Sequence, residues 1–205
     1  MIKVSIIDSG TSNLFSIANA FNKIGASVEI TSNKSDIKNS NYLILPGVGS
    51  FNQGMINLKK KKLIDEIIKH INSGKPFLGI CLGFQLLFNY SYEFKKTRGL
   101  SILKGKVLEF PRNKVNVIPH VGWNTVNVLK KKYGFIKNND FYYFVHSFYV
   151  LPDNKKMIYS TTIVDNFKFC SSIIDNNIFG CQFHPEKSGK QGLKFLKNFL
   201  KYNYA

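Results

Sequence analysis

The sequence predicts an α/β protein with an open, mostly parallel central sheet flanked by helices and an additional antiparallel strand region in its C-terminal half. Two observations support this prediction. Up to about residue 88, short apolar runs alternate with longer amphipathic segments, which is typical of a parallel sheet with crossover helices. After about Leu100, strand-like runs follow one another with turn residues between some of them, which indicates antiparallel strands.

In the first half, apolar runs predict strands at residues 3–7, 28–31, 42–45 and 77–80. Amphipathic spacing predicts helices at about residues 14–24 and 53–71, which end at Gly25 and Gly74, and a further helix directly after Cys81. Ligands bind at the carboxyl ends of the strands in such sheets. Asp8, the turn at residues 46–49 and Cys81 are therefore expected along one edge of the molecule.

The second half is predicted to be rich in strands, which fall at residues 106–108, 123–128, 142–145, 148–151, 157–162, 168–174 and 178–183. Turn residues at 152–154 and 175–177 predict hairpins between the strands on either side. A final packing helix is predicted at about residues 189–202, because its apolar residues recur at helical spacing.

Length and composition favour one domain over residues 1–205, and the 44% apolar content is enough for a sizeable core. No apolar run approaches the roughly 20 residues that span a bilayer. The first residues read as a strand and not as a signal peptide, so a cytoplasmic location is expected. The three cysteines, Cys81, Cys170 and Cys181, form no disulfide or metal-binding pattern, and the last two are interpreted as core residues.

The net charge of +17 raises nucleic acid or an acidic membrane as a ligand. The lysines are scattered apart from two short runs, and the arginines, which read bases and phosphates best, are only Arg98 and Arg112. A solvated basic surface is therefore the favoured interpretation. A non-catalytic module that binds nucleic acid or acts as a degenerate regulator stays an alternative, which salt-sensitive RNA binding without enzymatic activity would support.

Cys81 stands at the most informative point of the chain, where a predicted strand turns directly into a predicted helix between Gly79 and Gly83. This G-x-C-x-G pattern is typical of a nucleophile elbow, a strained corner that points one side chain outward and needs small neighbours. A thiol at a helix N-terminus is also favoured as the thiolate. The alternative is a buried cysteine in an ordinary strand-to-helix unit.

A nucleophilic cysteine needs a base, and that base needs an orienting group. His184 follows a predicted strand, and Pro185 favours extended backbone there, so His184 and Glu186 are expected to face the same way. An oxyanion would also need backbone donors, for which the N–H of Leu82 and the glycine-rich turn at residues 46–49 are candidates. Taken alone, each feature is also compatible with an incidental histidine or a plain connecting turn.

Taken together, the segments at residues 79–85 and 182–186 resemble the nucleophile and His-x-Glu motifs of the class I (triad) glutamine amidotransferases. Four further segments, at residues 45–49, 119–124, 143–147 and 184–188, resemble the glutaminase subunits of imidazole glycerol phosphate synthase, from histidine biosynthesis. The resemblance covers the whole chain as one type 1 amidotransferase domain. It implies a flavodoxin-like three-layer sandwich that hydrolyses L-glutamine to L-glutamate and ammonia without a metal or cofactor.

The resemblance also implies a role for individual residues. Cys81 is the nucleophile, His184 the general base and acid, and Glu186 its orienter. The oxyanion hole is expected from Val48 and Leu82 with Gly47 and Gly49. The bound glutamine is expected to contact Gln85, His146, Ser147 and Phe148. Phe148 departs from the tyrosine that is common in the family at that position, which affects glutamine binding only if the hydroxyl takes part.

The resemblance further implies a separate (β/α)₈ cyclase subunit that receives the ammonia in a heterodimer, since about 250 residues of barrel do not fit in this chain. The partner face is expected around Asn13, His120, Trp123 and Asn124, although Trp123 and Asn124 could equally serve sheet packing. Neither nucleic acid nor a membrane is expected as a partner. A glutaminase of another pathway, such as anthranilate, aminodeoxychorismate or pyridoxal phosphate synthesis, stays an alternative that histidine auxotrophy on deletion would exclude.

Overall fold

The computed structural model describes residues 2–10 and 13–202. The first half contains β1 (Lys3–Ile7), α1 (Leu14–Lys23), β2 (Ser27–Thr31), α2 (Lys34–Asn39), β3 (Tyr42–Leu45), α3 (Phe51–Lys60), α4 (Ile64–Asn72), β4 (Phe77–Ile80) and α5 (Leu82–Gln85). The second half contains β5 (Phe88–Ser91), β6 (Thr97–Arg98), β7 (Leu103–Glu109), β8 (His120–Thr125), β9 (Asn127–Val128), β10 (Phe141–His146), β11 (Phe148–Pro152), β12 (Ile158–Val164), β13 (Phe167–Asp175), β14 (Ile178–Cys181) and α6 (Gly189–Lys201).

Within the described residues, twelve strands form one central sheet, in the order β2-β1-β3-β4-β14-β13-β11-β7-β5-β6; β12 pairs with β13, and β9 pairs with β12. The strands from β2 to β14 are parallel, and the pairs of β13 with β14, β11 and β12 are antiparallel. Strands β8 and β10 form a separate antiparallel pair. The predicted parallel half with an antiparallel extension is confirmed.

Helices cover both faces of the parallel half, which makes three layers. On one face, α1 and α6 bury Phe21, Phe195 and Phe199 in one core cluster. On the other face, α2 to α5 bury residues such as Ile37 and Leu58 in a second cluster. The α/β class and the three-layer arrangement agree with the prediction. Among the described residues, no helix is long and apolar enough to cross a membrane.

The helix predicted at residues 53–71 is wrong, because the structure has two helices there, α3 and α4. Lys62 between them has a φ of +56°, a left-handed conformation that no helix interior accepts. The lysine run around it is polar on every side, so no apolar stripe holds it straight against the sheet. The short elements α2, β5 and β6 were not predicted, since each is too brief to show a period.

The prediction of a hairpin is confirmed at residues 175–177, where β13 turns into β14. The hairpin at residues 152–154 is wrong, because β11 pairs with β7 and β13 and the chain continues into β12, which pairs with β13 and β9. Strand β14 also pairs in parallel with β4, and Cys181 stands opposite Ile80. This parallel pairing places the segment after β14 beside the segment after β4.

Candidate active site

The carboxyl ends of β3, β4 and β14 meet at one edge of the sheet, because these strands are parallel neighbours. The turn at residues 46–49 follows β3, Cys81 follows β4, and the segment from Gln182 to His184 follows β14. Residues that are about a hundred positions apart in the chain are thereby brought together. Asp8, which follows β1, pairs instead with Lys61 at an Oδ2–Nζ distance of 3.1 Å.

Cys81 occupies a strained corner between β4 and α5. Its φ of +52° and ψ of −109° are unusual for a residue with a side chain. Its N–H donates to the carbonyl of Cys181 at 2.8 Å, so the neighbouring strand holds the corner. A Cβ on Gly83 would lie 1.8 Å from the carbonyl oxygen of Leu45, which explains the glycine at that position. The predicted tight corner with small neighbours is confirmed.

His184 and Glu186 form a buried pair next to Cys81. The distance from His184 Nδ1 to Glu186 Oε1 is 2.7 Å, and their side chains are 3% and 2% exposed. His184 is extended, as predicted, but Glu186 lies in a 3₁₀ turn at Pro185–Lys187. The turn, and not the alternation of an extended strand, therefore brings the carboxylate to the imidazole.

Ser188 holds this turn in place, and the sequence reasoning missed it. Its Oγ donates to the carbonyl of His184 at 2.6 Å and accepts from the N–H of Tyr143 at 3.0 Å. The N–H of His184 donates in turn to the carbonyl of Tyr143 at 2.9 Å. Strand β10 thus fixes the backbone on which the imidazole stands.

The surroundings of His184 favour its protonated form. Burial alone lowers the pKa of His184, but the sulfur of Cys81 and the carboxylate of Glu186 together outweigh burial and raise the pKa to about 10. Within the part of the chain that the structure describes, Nε2 of His184 has no hydrogen bond of good geometry. Nε2 is therefore available to exchange a proton at the sulfur of Cys81.

A cavity of about 430 Å³ opens beside Cys81. Its wall contains most of the residues expected to contact a substrate, namely Val48, Gly49, Leu82, Gln85, His146, Ser147 and Phe148. Glu93 and Lys187, which the sequence reasoning missed, are the one carboxylate and the one cation among the described wall residues. No group of three or more histidine, cysteine, aspartate or glutamate side chains in the described ranges is arranged to hold a metal ion.

In this structure, the backbone N–H beside Cys81 that could bind an oxyanion is occupied by another acceptor. The N–H of Leu82 donates to the carbonyl of Gly47 at 3.3 Å, and a Cβ on Gly47 would lie 2.9 Å from the Cβ of Leu82. A free N–H at a helix start takes the nearest acceptor, which here is this carbonyl. Of the two predicted donors, the N–H of Leu82 is therefore engaged, and Val48 lies 41% exposed at the rim.

Two buried amides, Gln85 of α5 and Gln182 after β14, lie next to each other, and Gln182 contacts the cysteine. The Nε2 of Gln85 donates to the carbonyl of Phe148 and to Oε1 of Gln182, both at 3.0 Å. The Nε2 of Gln182 donates to Sγ of Cys81 at 3.6 Å. Gln182 is fully buried and was not among the predicted site residues. A polar side chain directly after an apolar strand was the available signal, because buried amides need partners.

His120 is not at the surface, which corrects its expected place at a partner face. It is 8% exposed, and its Nδ1 lies 3.2 Å from Nε2 of His146, which is also buried. The Nδ1 of His146 lies 2.9 Å from the carbonyl of Phe148. Burial lowers the pKa of both histidines, that of His146 to about 3, so both rings are neutral.

The other residues of the expected partner face lie nearer the surface. Trp123 and Val121, on the exposed side of β8, are 54% and 56% exposed. The Trp123 ring also packs edge-to-face against Tyr143 of β10, at 6.2 Å between ring centroids, so the alternative of sheet packing stays open. Asn124 is half-buried, with Nδ2 3.2 Å from Nε2 of His120. Asn13 caps α1, where its Oδ1 accepts from the N–H of Ser16 at 3.3 Å, and it lines a small crevice that His184 also lines.

Comparison with known proteins shows the family of this chain. Residues 5–202 match the family model described as glutamine amidotransferase class-I. A protein of Caldanaerobacter subterraneus subsp. tengcongensis is 50% identical over 199 residues, which cover 96% of each chain. A protein of Aquifex aeolicus is 43% identical over 201 residues, which cover 97% of this chain and 96% of the relative. Both are named imidazole glycerol phosphate synthase subunit HisH.

Solved structures of lower sequence identity share the fold. PurLQS from Thermotoga maritima has a TM-score of 0.75 at 21% identity, and the match covers 98% of both chains. A glutamine amidotransferase, also from Thermotoga maritima, has a TM-score of 0.64 at 15% identity, and the match covers 90% of this chain and 76% of that one. At this level of identity, these two matches bear on the fold alone.

Proposed function

Because the chain belongs to the class-I glutamine amidotransferase family, we propose that it hydrolyses L-glutamine to L-glutamate and ammonia for histidine biosynthesis. Its relatives at 50% and 43% identity are named imidazole glycerol phosphate synthase subunit HisH. One observation carries this proposal. A cysteine at a strained strand-to-helix corner faces a 430 Å³ cavity beside a buried histidine–carboxylate pair. That is the arrangement of nucleophile, base and orienter that acyl transfer requires.

In the proposed mechanism, the thiolate of Cys81 attacks the carboxamide carbon of glutamine. His184, held protonated by its surroundings, gives its proton to the leaving nitrogen, and ammonia departs from the glutamyl thioester. Water then attacks the thioester, and His184 takes a proton from that water. The C–S bond breaks, glutamate leaves and the thiolate is restored. Glu186 keeps the Nδ1 proton of His184 directed away from the reaction, so that Nε2 serves both steps.

The oxyanion of each tetrahedral intermediate needs backbone donors, and one of the two candidates, the N–H of Leu82, is engaged in this structure. We propose that the peptide between Gly47 and Val48 rotates, which removes the Gly47 carbonyl from the N–H of Leu82 and turns the N–H of Val48 toward the cavity. Glycines at positions 47 and 49 make this rotation cheap, and Gly49 already has a φ of +94°.

Charge complementarity supports a zwitterionic amino acid in the cavity. Glu93 supplies a carboxylate for the α-ammonium group, and the N–H of Phe51 fixes its Oε2 at 2.6 Å. Lys187 supplies a cation at the rim for the α-carboxylate. Gln85, His146 and Phe148 form part of the wall. One N–H of Gln85 already donates to the carbonyl of Phe148 and the other to Oε1 of Gln182, which leaves Ser147 as the freer contact.

We further propose that the ammonia passes to a separate (β/α)₈ cyclase subunit in a one-to-one heterodimer in the cytoplasm. Free ammonia would be protonated in water, so a covered route to the second reaction is an advantage. The exposed side chains of Val121 and Trp123 offer the apolar anchors that partner surfaces use. Asn13 borders the same crevice as the His184–Glu186 pair, which would let a partner reach the edge of the site.

The test is glutamate formation from glutamine by the purified chain, first alone and then with both the cyclase partner and its nucleotide ligand. Cys81→Ala is expected to abolish glutamate formation, since no other described thiol lines the cavity. Cys170→Ala, at a buried cysteine of β13 outside the cavity, is the matched control and is expected to retain it. Equal activity of the Cys81→Ala variant and the parent would overturn the proposal.

A further inference from the structure

Gln182 presents a hydrogen-bond donor to the sulfur of Cys81, and neither the sequence motifs nor the proposed mechanism assigns it a task. Its side chain is fully buried, and its Nε2 lies 3.6 Å from Sγ. Its backbone N–H donates to the carbonyl of Ser171 at 2.9 Å, which ties the residue to β13. The amide therefore approaches the sulfur from a fixed point of the sheet.

The orientation of the Gln182 amide is determined by its neighbours. The Nε2 of Gln85 has two N–H bonds, and these point to the carbonyl of Phe148 and to Oε1 of Gln182. Turning the Gln85 amide over would place its oxygen against the carbonyl of Phe148, which repels it. Because Gln85 must present its nitrogen, Gln182 must present its oxygen to Gln85 and its N–H to Cys81.

The carbonyl of Phe148 is itself held by a chain of two buried histidines and the half-buried Asn124. It accepts from Nδ1 of His146 at 2.9 Å, and the Nε2 of this neutral ring accepts from Nδ1 of His120 at 3.2 Å. The Nε2 of His120 accepts in turn from Nδ2 of Asn124 at 3.2 Å. Because the carbonyl of Phe148 can only accept, it fixes the donor or acceptor role of each ring nitrogen and amide group in turn. The network therefore has a single arrangement, which ends at the sulfur of Cys81.

We propose that Gln182 is a further catalytic residue of the glutaminase reaction, whose amide N–H stabilises the negative charge on the Cys81 sulfur. The inference rests on the proposed function for its catalytic consequence. The N–H bonds more strongly to a thiolate than to a thioether or thioester sulfur. It therefore favours the attacking form before the first step and meets the charge that returns to the sulfur when water cleaves the thioester.

The test uses Gln182→Met, which keeps the length of the side chain and removes the donor. The first readout needs no substrate: the rate of Cys81 alkylation by iodoacetamide as a function of pH, with Cys81→Ala as background. Burial raises the pKa of Cys170 and Cys181, so those thiols contribute little. The alkylation profile of Gln182→Met is expected to shift to higher pH by about one unit, as loss of a hydrogen bond to a charged group predicts.

The second readout is glutamine hydrolysis with the cyclase partner. For Gln182→Met, kcat is expected to fall by about 10- to 100-fold with little change in KM, because the lost interaction is with the sulfur and not with glutamine. Gln182→Leu also removes the donor and introduces no ionisable group at this buried position, so it is expected to shift the alkylation profile by a similar amount. It also serves where Gln182→Met does not fold. Gln53→Met, at an exposed glutamine of α3, is the matched control.

An alkylation profile that matches the parent in both Gln182 variants would overturn the inference, whatever happens to turnover. A parent protein that makes no glutamate would overturn the proposed function instead, while the alkylation profile would still report on the contact between Gln182 and Cys81. The two failures are therefore distinguishable.

Discussion

His146 predicts that acid destabilises this protein in a measurable way. The ring is buried, donates to the carbonyl of Phe148 and faces the ring of His120, and burial lowers its pKa from 6.5 to about 3. Between those two pH values, His146 is protonated in the unfolded chain but neutral in the folded chain. The free energy of unfolding therefore falls as the pH falls through this window, by about 1.4 kcal/mol per pH unit.

From pH 7.5 to pH 5.0, this group alone is expected to remove about 2 kcal/mol, since only the 1.5 units below the unfolded pKa count. The assay is urea unfolding at both pH values for the parent and for His146→Asn, whose amide nitrogen can replace Nδ1 at the Phe148 carbonyl. The asparagine variant is expected to be less stable at pH 7.5 but to lose about 2 kcal/mol less on acidification.

His184 does not spoil this comparison, although its pKa is shifted in the opposite direction. Because its folded pKa is raised to about 10, its contribution is fully present below pH 6.5 and is lost as the pH rises toward 10. This contribution occurs in both parent and variant, and only its coupling to His146 differs between them. Phe110→Leu, which trims a ring 5.0 Å from His146 without removing a titrating group, is the control and should keep the parent's pH dependence. An unchanged pH dependence in His146→Asn would refute the reasoning.

Three further predictions concern the corner at Cys81, the His184–Glu186 pair and the expected partner face. Gly83→Ala is expected to lower the free energy of unfolding, measured with urea, by at least about 3 kcal/mol, because the added Cβ would overlap the Leu45 carbonyl. A decrease below about 1 kcal/mol would contradict the close packing. Glu186→Gln is expected to lower kcat by about 100-fold or more and, by lowering the pKa of His184, to move the alkaline limb of the activity profile to lower pH. Trp123→Ala is expected to weaken cyclase binding about tenfold or more in calorimetry without changing the unpartnered rate; unchanged affinity would exclude this face.

Much of the parallel half could be predicted from local pattern. Strands β1, β3 and β4 begin and end where the apolar runs predicted, because a short buried strand between turn residues leaves a complete signal in consecutive positions. The corner at Cys81 was predictable for the same reason. The division of one predicted helix into α3 and α4 was not, since helical spacing was extended across the lysine run, where no apolar stripe supports it and exposed Lys62 takes a positive φ.

The sequence by itself determined the alternation of strands and helices, the strained corner at Cys81 and the proximity of His184 to Glu186, which are two residues apart. Only the tertiary structure decided that β14 lies parallel to β4, that Gln182 turns its N–H to the sulfur and that His120 is buried against His146. The reason is physical: the first set depends on neighbours along the chain, whereas the second depends on strand pairing and on hydrogen bonds between residues 26 to 101 positions apart.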